Sequence, residues 1–428
     1  MKQEELFDQF PPVSTKEWID KIQADLKGAD FSKLIWKTNE GFEVKPFYRA
    51  EDIENLRYVD NLPGEFPYLR GVKTQNNNWY IRQNITVSDY SVANRKALNV
   101  LMKGVDSIGF SVSDPESVNE DNFRLLLKDL HIEAVETNFL CSGKAKEILD
   151  LLIKIATERG LDPDKITGAI EADPVGLIVK NGNLCIPVES GFDYLASLTT
   201  SSKVFPDLCT VHLDASYFGN SGADIVQELA SGISMGSEYM TQFTDRGLDV
   251  DFAASKIRFS FSTGSNYFLE IAKLRAARLL WSAVIKGFMP ENIEAIKMKI
   301  HCSTSTWNKT VDDPYINMLR TQTEAMSAIL GGTDSLTVRP FDMTIRQPDE
   351  FSERIARNQQ LLLKEESYFD KVADPAAGSY YIENLTNLIT ENAWKLFLEL
   401  EDKGGFLSAW NAGFVQGKIL SPATHLKK

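Results

Sequence analysis

Residues 266–281 read Asn-Tyr-Phe-Leu-Glu-Ile-Ala-Lys-Leu-Arg-Ala-Ala-Arg-Leu-Leu-Trp and residues 301–307 read His-Cys-Ser-Thr-Ser-Thr-Trp, with a strand-like run between them. The first stretch has helical spacing, with Arg275, Arg278 and Trp281 three apart. The second closes a β-type run with small polar residues. A helix followed at once by a strand that carries polar groups at its C-terminal end is one βα step of a parallel barrel, the end at which barrel sites lie.

Working outward from that step, short β-rich runs alternate with longer helical ones, the pattern that calls for parallel strands and crossover helices. Candidate strands are Ile81 to Val87, Ser107 to Val112, Ile132 to Thr137, Ile166 to Glu171, Val211 to Ser216, Ile257 to Phe261, Ile296 to His301 and Ser335 to Val338. Eight strands close a barrel. Helical periodicity runs through Ser91 to Met102, Asp121 to Leu127, Ala145 to Arg159, Phe192 to Thr199, Ala223 to Thr241, Tyr267 to Ile285, Asp313 to Leu330 and Pro348 to Glu366. Ser142 and Asp313-Pro314 are helix-start signals, and Gly331-Gly332 is a stop.

The fold expected is therefore an α/β (β/α)8 TIM barrel over residues 81–370. Residues 1–80, with Trp18, Trp36, Trp79 and proline-broken runs, read as an N-terminal arm that wraps a partner. Residues 371–428, with a helix from about Leu385 to Glu401, read as a helical extension packed outside the barrel.

With 60 acidic and 46 basic residues, the net charge of −14 excludes a general affinity for nucleic acid or anionic membrane. Cys141, Cys185, Cys209 and Cys302 form no CxxC or ligand-like cluster, so neither a disulfide framework nor a zinc site is expected. No run approaches ~20 apolar residues, and the start of the chain is charged. These features together predict a cytoplasmic protein. No P-loop, GxGxxG, GxSxG or HExxH motif occurs.

Candidate site residues follow from position. Arg82 and Gln83, in the first strand, face either a polar pocket or a cross-strand pair. The run from Asp214 to Asp224, with Tyr217 and Asn220, serves either a ligand or a tight turn capped by Ser221 or Asp224. His301 ends a strand, where its imidazole can face the mouth and serve in proton transfer. His212 reads as a core histidine, His131 as the start of a strand and His425 as part of a polar tail. Arg70 lies in a rigid loop, Pro63 to Gly71, that is either an anion clamp or a turn. Lys273, Arg275 and Arg278 read as a solvated helix face with Glu270 paired to Lys273. Asp312-Asp313 and Glu365-Glu366 read as surface or cap charges.

Several stretches in order resemble the methylmalonyl-CoA mutase family over nearly the whole chain. They are Pro63-Gly64-Glu65-Phe66-Pro67-Tyr68, Ala272-Lys273-Leu274-Arg275-Ala276-Ala277-Arg278, His301-Cys302-Ser303-Thr304-Ser305, Asp313-Pro314-Tyr315, Ala328-Ile329-Leu330-Gly331-Gly332-Thr333 and Ala373-Asp374-Pro375-Ala376-Ala377-Gly378-Ser379-Tyr380-Tyr381. The resemblance implies a coenzyme A-binding barrel and a separate flavodoxin-like cobalamin domain. It also implies adenosylcobalamin radical chemistry that interconverts methylmalonyl-CoA and succinyl-CoA.

Four departures bear on that expectation. The Thr-Met-Tyr run that catalytic chains carry before the first strand is replaced by Val72 to Asn78, without a tyrosine. The family's catalytic histidine, which follows a tyrosine after the fifth strand, is matched by Phe218 beside Tyr217. The family's arginine after the fourth strand has no counterpart from Glu171 to Asn181. No Asp-x-His-x-x-Gly signature, whose histidine ligates cobalt in the family, is present. The resemblance thus implies a small, non-catalytic subunit with a large catalytic subunit as its partner. No residue of this chain would be catalytic, adenosylcobalamin would sit on the large subunit and not on this chain alone, and some acyl-CoA binding could remain. Arg82, Gln83, Tyr217, Asn220 and His301 are the candidate mouth residues. The alternatives are an active cobalamin-dependent acyl-CoA mutase working through Arg82, Gln83 and His301, and a coenzyme A-binding module without turnover.

Overall fold

The computed structural model describes residues 10, 12–140 and 143–419. The eight β-rich runs become β1 (Tyr80–Val87), β2 (Ser107–Val112), β3 (Glu136–Leu140), β4 (Gly168–Ala172), β5 (Leu208–Asp214), β6 (Ile257–Thr263), β7 (Lys299–Thr304) and β8 (Ser335–Thr337). All eight pair in parallel and close into one barrel, β8 lying between β7 and β1. Register is set at close contacts. Gly168 has φ +123°, and a Cβ there would stand 2.0 Å from the carbonyl oxygen of Thr137, so only glycine lets β3 and β4 meet. The β4–β5 ladder is irregular between Ala169 and Ala172, a kink of the sort that re-aims side chains, and Glu171 lies within it.

The helices are α1 (Thr15–Asp25), α2 (Tyr90–Leu101), α3 (Glu120–Leu126), α4 (Ala145–Arg159), α5 (Pro174–Asn181), α6 (Val188–Ser201), α7 (Ser216–Asn220), α8 (Ile225–Asp245), α9 (Val250–Ser255), α10 (Tyr267–Gly287), α11 (Ile316–Leu330), α12 (Glu350–Leu361), α13 (Tyr380–Glu401) and α14 (Phe406–Asn411). Asp224 caps α8 by accepting from the Gln227 N–H, while Ser221 ends α7. α8 and α10 lie close over β6. Phe259 meets Trp281 with ring centroids 4.7 Å apart, and a Cβ on Gly236 would stand 2.7 Å from the Trp281 ring.

The helices after residue 379 lie outside the barrel strands. α13 lies against α10 and α8 and buries Leu385, Ile389 and Ala393. In the arm, Ser14 and Glu17 form a capping box that starts α1, yet α1 buries no residue. Its Trp18 contacts Phe47 and Arg49.

Several sequence expectations are corrected here. The third strand begins at Glu136 and not at Ile132, because the ladder to β2 starts with Ser107 opposite Glu136. Ile132 is buried in the preceding turn, and His131 is exposed there rather than starting a strand. Asp313 does not cap a helix, since α11 begins three residues later. Lys273, Arg275 and Arg278 are not a solvated face. All three are buried, because α8, α11 and α13 surround α10. Lys273 pairs with Glu228 at 2.7 Å and, as expected, with Glu270 at 2.6 Å. Arg275 pairs with Asp374 and with Glu383 at 2.7 Å, and Arg278 donates to the carbonyls of Tyr68 and Gly331. Arg70 donates to Asp374 and to the Asn61 carbonyl, which makes its loop a fastening turn. Ser142 and His425 lie outside the described residues.

Candidate functional site

Charged residues inside strands have two places to go, and here they fill the barrel. Arg82 on β1 crosses to Glu171 on β4 at 2.6 Å and braces on Asn84 at 2.9 Å. Arg258 on β6 donates to Glu136 at 2.7 Å and Asn138 at 2.5 Å, and approaches Glu171 at 3.5 Å. Its Nε also donates to Nδ1 of His212 at 3.3 Å, which places that histidine's proton on Nε2. His301 bonds Ser335 through Nδ1 at 2.7 Å, and its ring centroid lies 5.9 Å from that of His212.

Electrostatics follow from this crowding. Burial would raise the Glu171 carboxyl, but Arg82, His212 and Arg258 overcome it and hold it at about 2. Burial takes His212 down to about 3 against the pull of Glu171, with both arginines adding to the fall. Burial and the neighbouring arginines also hold His301 well below the ordinary histidine range. Both imidazoles are therefore neutral near pH 7 and have no imidazolium proton to donate. Two arginines balance two glutamates, and the centre of the barrel is a neutralised polar plug.

Above the plug, the ends of β4 and β5 open into a cavity of about 450 Å³. Glu171, Asp173, His212, Asp214 and Tyr217 contribute polar groups, and Leu177, Leu184, Ile186 and Leu195 contribute apolar walls. Asp173 is occupied: it accepts from the Tyr239 hydroxyl and from the N–H groups of Gly176 and Asp214. Asp214 accepts from the Ser216 N–H at 3.0 Å, and burial raises its carboxyl to about 6 despite that bond. Burial and then Asp214 push the Tyr217 phenol upward, so it is a donor and not a phenolate.

The predicted site residues divide. Arg82 and His301 belong to the plug, and Tyr217 lines the cavity. Gln83 points to α12, donating to Glu353 and accepting from Arg357. Asn220 accepts from Ser305 and Thr306 and so fixes the loop after β7. Phe218 is buried between Phe406 and Trp410 of α14, where it packs the extension onto the barrel. His212 is a core histidine, as its strand position suggested, but its neighbours are charges. Sequence reasoning missed Glu136, Arg258 and Asp173. Charged residues within strands were the available signal for the first two.

Comparisons with known proteins agree with this architecture. The family model for methylmalonyl-CoA mutase matches residues 37–428. The chain is 47% identical over 422 residues to the methylmalonyl-CoA mutase small subunit of Porphyromonas gingivalis, covering 98% of this chain and 68% of that protein. It is 33% identical to methylmalonyl-CoA mutase of Rhizobium meliloti over 96% of this chain and 61% of that one. With the Escherichia coli enzyme the identity is 31%, over 95% and 61% respectively. The chain thus spans about three fifths of the length of these last two relatives.

Proposed function

Because the chain belongs to the methylmalonyl-CoA mutase family, we propose that it is the small, structural subunit of a heterodimeric, adenosylcobalamin-dependent mutase whose large subunit interconverts methylmalonyl-CoA and succinyl-CoA. The observation that supports this reading most is the plug. Arg82, Glu171, Arg258 and Glu136 neutralise one another in the barrel centre, and both histidines beside them are neutral and hydrogen-bonded. Such a plug holds the barrel's shape, and its two imidazoles carry no imidazolium proton to give. Nor do the described histidines suit an axial ligand to a corrin cobalt: His212 and His301 are buried in the plug, and His131 is exposed in a turn.

Residues 1–80 would supply the partner-wrapping segment, residues 81–370 the barrel and residues 371–428 the covering helices. The aromatic residues of the arm support that division, since Trp18 and Trp36 are each about half exposed, at 48% and 46%. Large aromatics of this kind are the usual anchors of a protein interface.

Co-expression with the large subunit tests the proposal. One species of one-to-one composition on size exclusion is expected, and Trp18→Ala with Trp36→Ala should weaken it roughly tenfold. Two separate species, or rearrangement of methylmalonyl-CoA by this chain alone with adenosylcobalamin, would overturn the assignment. The cavity of about 450 Å³ supports a second reading, coenzyme A binding without turnover. Calorimetric titration with coenzyme A separates the two, because a purely structural subunit gives no heat.

A further inference from the structure

The barrel wall is incomplete on one side. β8 is three residues long and β1 eight, and they pair only at Ser335 with Tyr80 and Leu336 with Ile81. Beyond Ile81, β1 pairs with β2 alone. α12 covers the gap through the bonds of Glu353 and Arg357 to Gln83. Behind it lies a cavity of about 490 Å³, separate from the one over β4 and β5.

Four arginines and one carboxylate line this cavity. Arg346 is matched by Asp342 and Asp349, Arg82 by Glu171, and the carboxylate, Glu353, by Lys96. Arg339 and Arg357 have no ion-pair partner among the described residues. Arg339 donates only to neutral groups, the Thr304 carbonyl at 3.0 Å and the Ser303 hydroxyl at 3.3 Å. Arg357 donates to the Gln83 carbonyl oxygen at 3.2 Å. Burial lowers both guanidinium groups, while from beyond ion-pair distance Asp214 favours the charged form of Arg339 and Glu353 and Glu350 favour that of Arg357.

A second observation points the same way. Arg82 and Arg357 are 6% and 7% exposed, and each keeps a buried guanidinium nitrogen, Nη1 and Nε respectively, with no hydrogen-bond partner. Buried polar groups are nearly always satisfied, and a buried charge without a counter-ion is costly. Arg339 and Arg357 line one cavity with no carboxylate within ion-pair distance among the described residues, and what such guanidinium groups lack is a close planar or tetrahedral acceptor of negative charge.

We infer that the side opening between β1 and β8 binds a small oxyanion, a phosphate or carboxylate group, with Arg357 and Arg339 as its charge partners and Arg82 as a further donor. The cavity is too confined for a macromolecular polyanion, and the chain's net charge of −14 argues against one. The site is independent of the subunit assignment, since it rests on the cavity's own charges.

Titration of the full chain with inorganic phosphate and with acetate, each against sodium chloride at matched ionic strength, tests the inference and distinguishes the two sources. Saturable binding of at least one anion is expected, with a rise in Tm above the chloride control. Arg357→Gln and Arg339→Gln should each weaken it at least tenfold. Arg246→Gln, which removes an arginine paired with Glu189 and Asp193 elsewhere, should leave it unchanged. If Arg339→Gln does not fold by circular dichroism, Arg357→Gln decides, because its side chain bonds only Gln83. No saturable binding of either anion, or full affinity retained in Arg357→Gln, would overturn the site.

Discussion

Two clusters of buried charge, one inside the barrel and one between the barrel and its outer helices, use the same residue types to different ends. The outer cluster joins segments far apart in sequence. Lys273 and Arg275 on α10 hold Glu228 on α8, Asp374 in the loop before α13 and Glu383 on α13 itself. It borders neither of the two larger barrel cavities, and it serves as a fastening. The inner cluster lies on strands alone, and cavities open on two sides of it. Burial of an ion pair is by itself weak evidence of stability or of function. What separates the two clusters is space for a ligand, since each holds an arginine nitrogen without an acceptor among the described residues, Nη1 of Arg82 in one and Nε of Arg275 in the other.

The comparison can be broken at its strongest point first. Arg275→Met would leave Glu383 unpaired and Asp374 with Arg70 alone, at a cost of about 3–5 kcal/mol. Urea unfolding should show the loss, and a change below about 1 kcal/mol would mean that the outer cluster is not a fastening.

Glu171→Gln comes next, at about 2 kcal/mol near pH 7, because Arg82 loses its counter-ion. This change also carries a pH signature. The folded-state value of about 2 lies below the ordinary glutamate value, so the stability it contributes is present above about pH 4.3 and is lost as pH falls through 2. Urea midpoints over that range should fall more steeply in the parent chain than in Glu171→Gln. Parallel curves would show that the plug contributes no such linkage.

The smallest effect is expected at Asp214. Its carboxyl is raised to about 6, so the folded state holds a proton that the unfolded chain has released, and stability declines as pH rises from about 4 to 6. Asp214→Asn keeps an acceptor for the Ser216 N–H and removes that decline. At pH 8 it should be more stable than the parent by about 1 kcal/mol, read from chemical denaturation, and a less stable variant would contradict the raised value.

Much of the frame was legible because it depends on local periodicity. The number and order of the eight strands and the helices from Ala145 and Tyr267 follow from apolar spacing and turn residues. Strand β3 was misplaced because Ile132 and Val135 look like the start of a strand, while register with β2 sets the true beginning at Glu136. The charges of α10 were misread for a related reason. Spacing on one helix cannot show that three other helices cover it.

The candidate site was legible only in fragments. Arg82 and His301 were expected at the barrel mouth from strand position, yet both sit in the plug, His301 as the third residue of β7 and not its end; Glu136, Glu171 and Arg258 come from three other strands, and nothing local says that they meet. The short β8 that opens the wall beside Arg357 is likewise a matter of pairing.

The sequence by itself determined the number and order of the βα steps and the family resemblance, because each is carried by neighbouring residues or by a residue's chemical type. The tertiary structure alone decided that Arg82, Glu136, Glu171 and Arg258 neutralise one another while Arg339 and Arg357 have no carboxylate within ion-pair distance among the described residues. Charge balance depends on distances of a few ångströms between residues remote in the chain, and only closure of the barrel sets those distances.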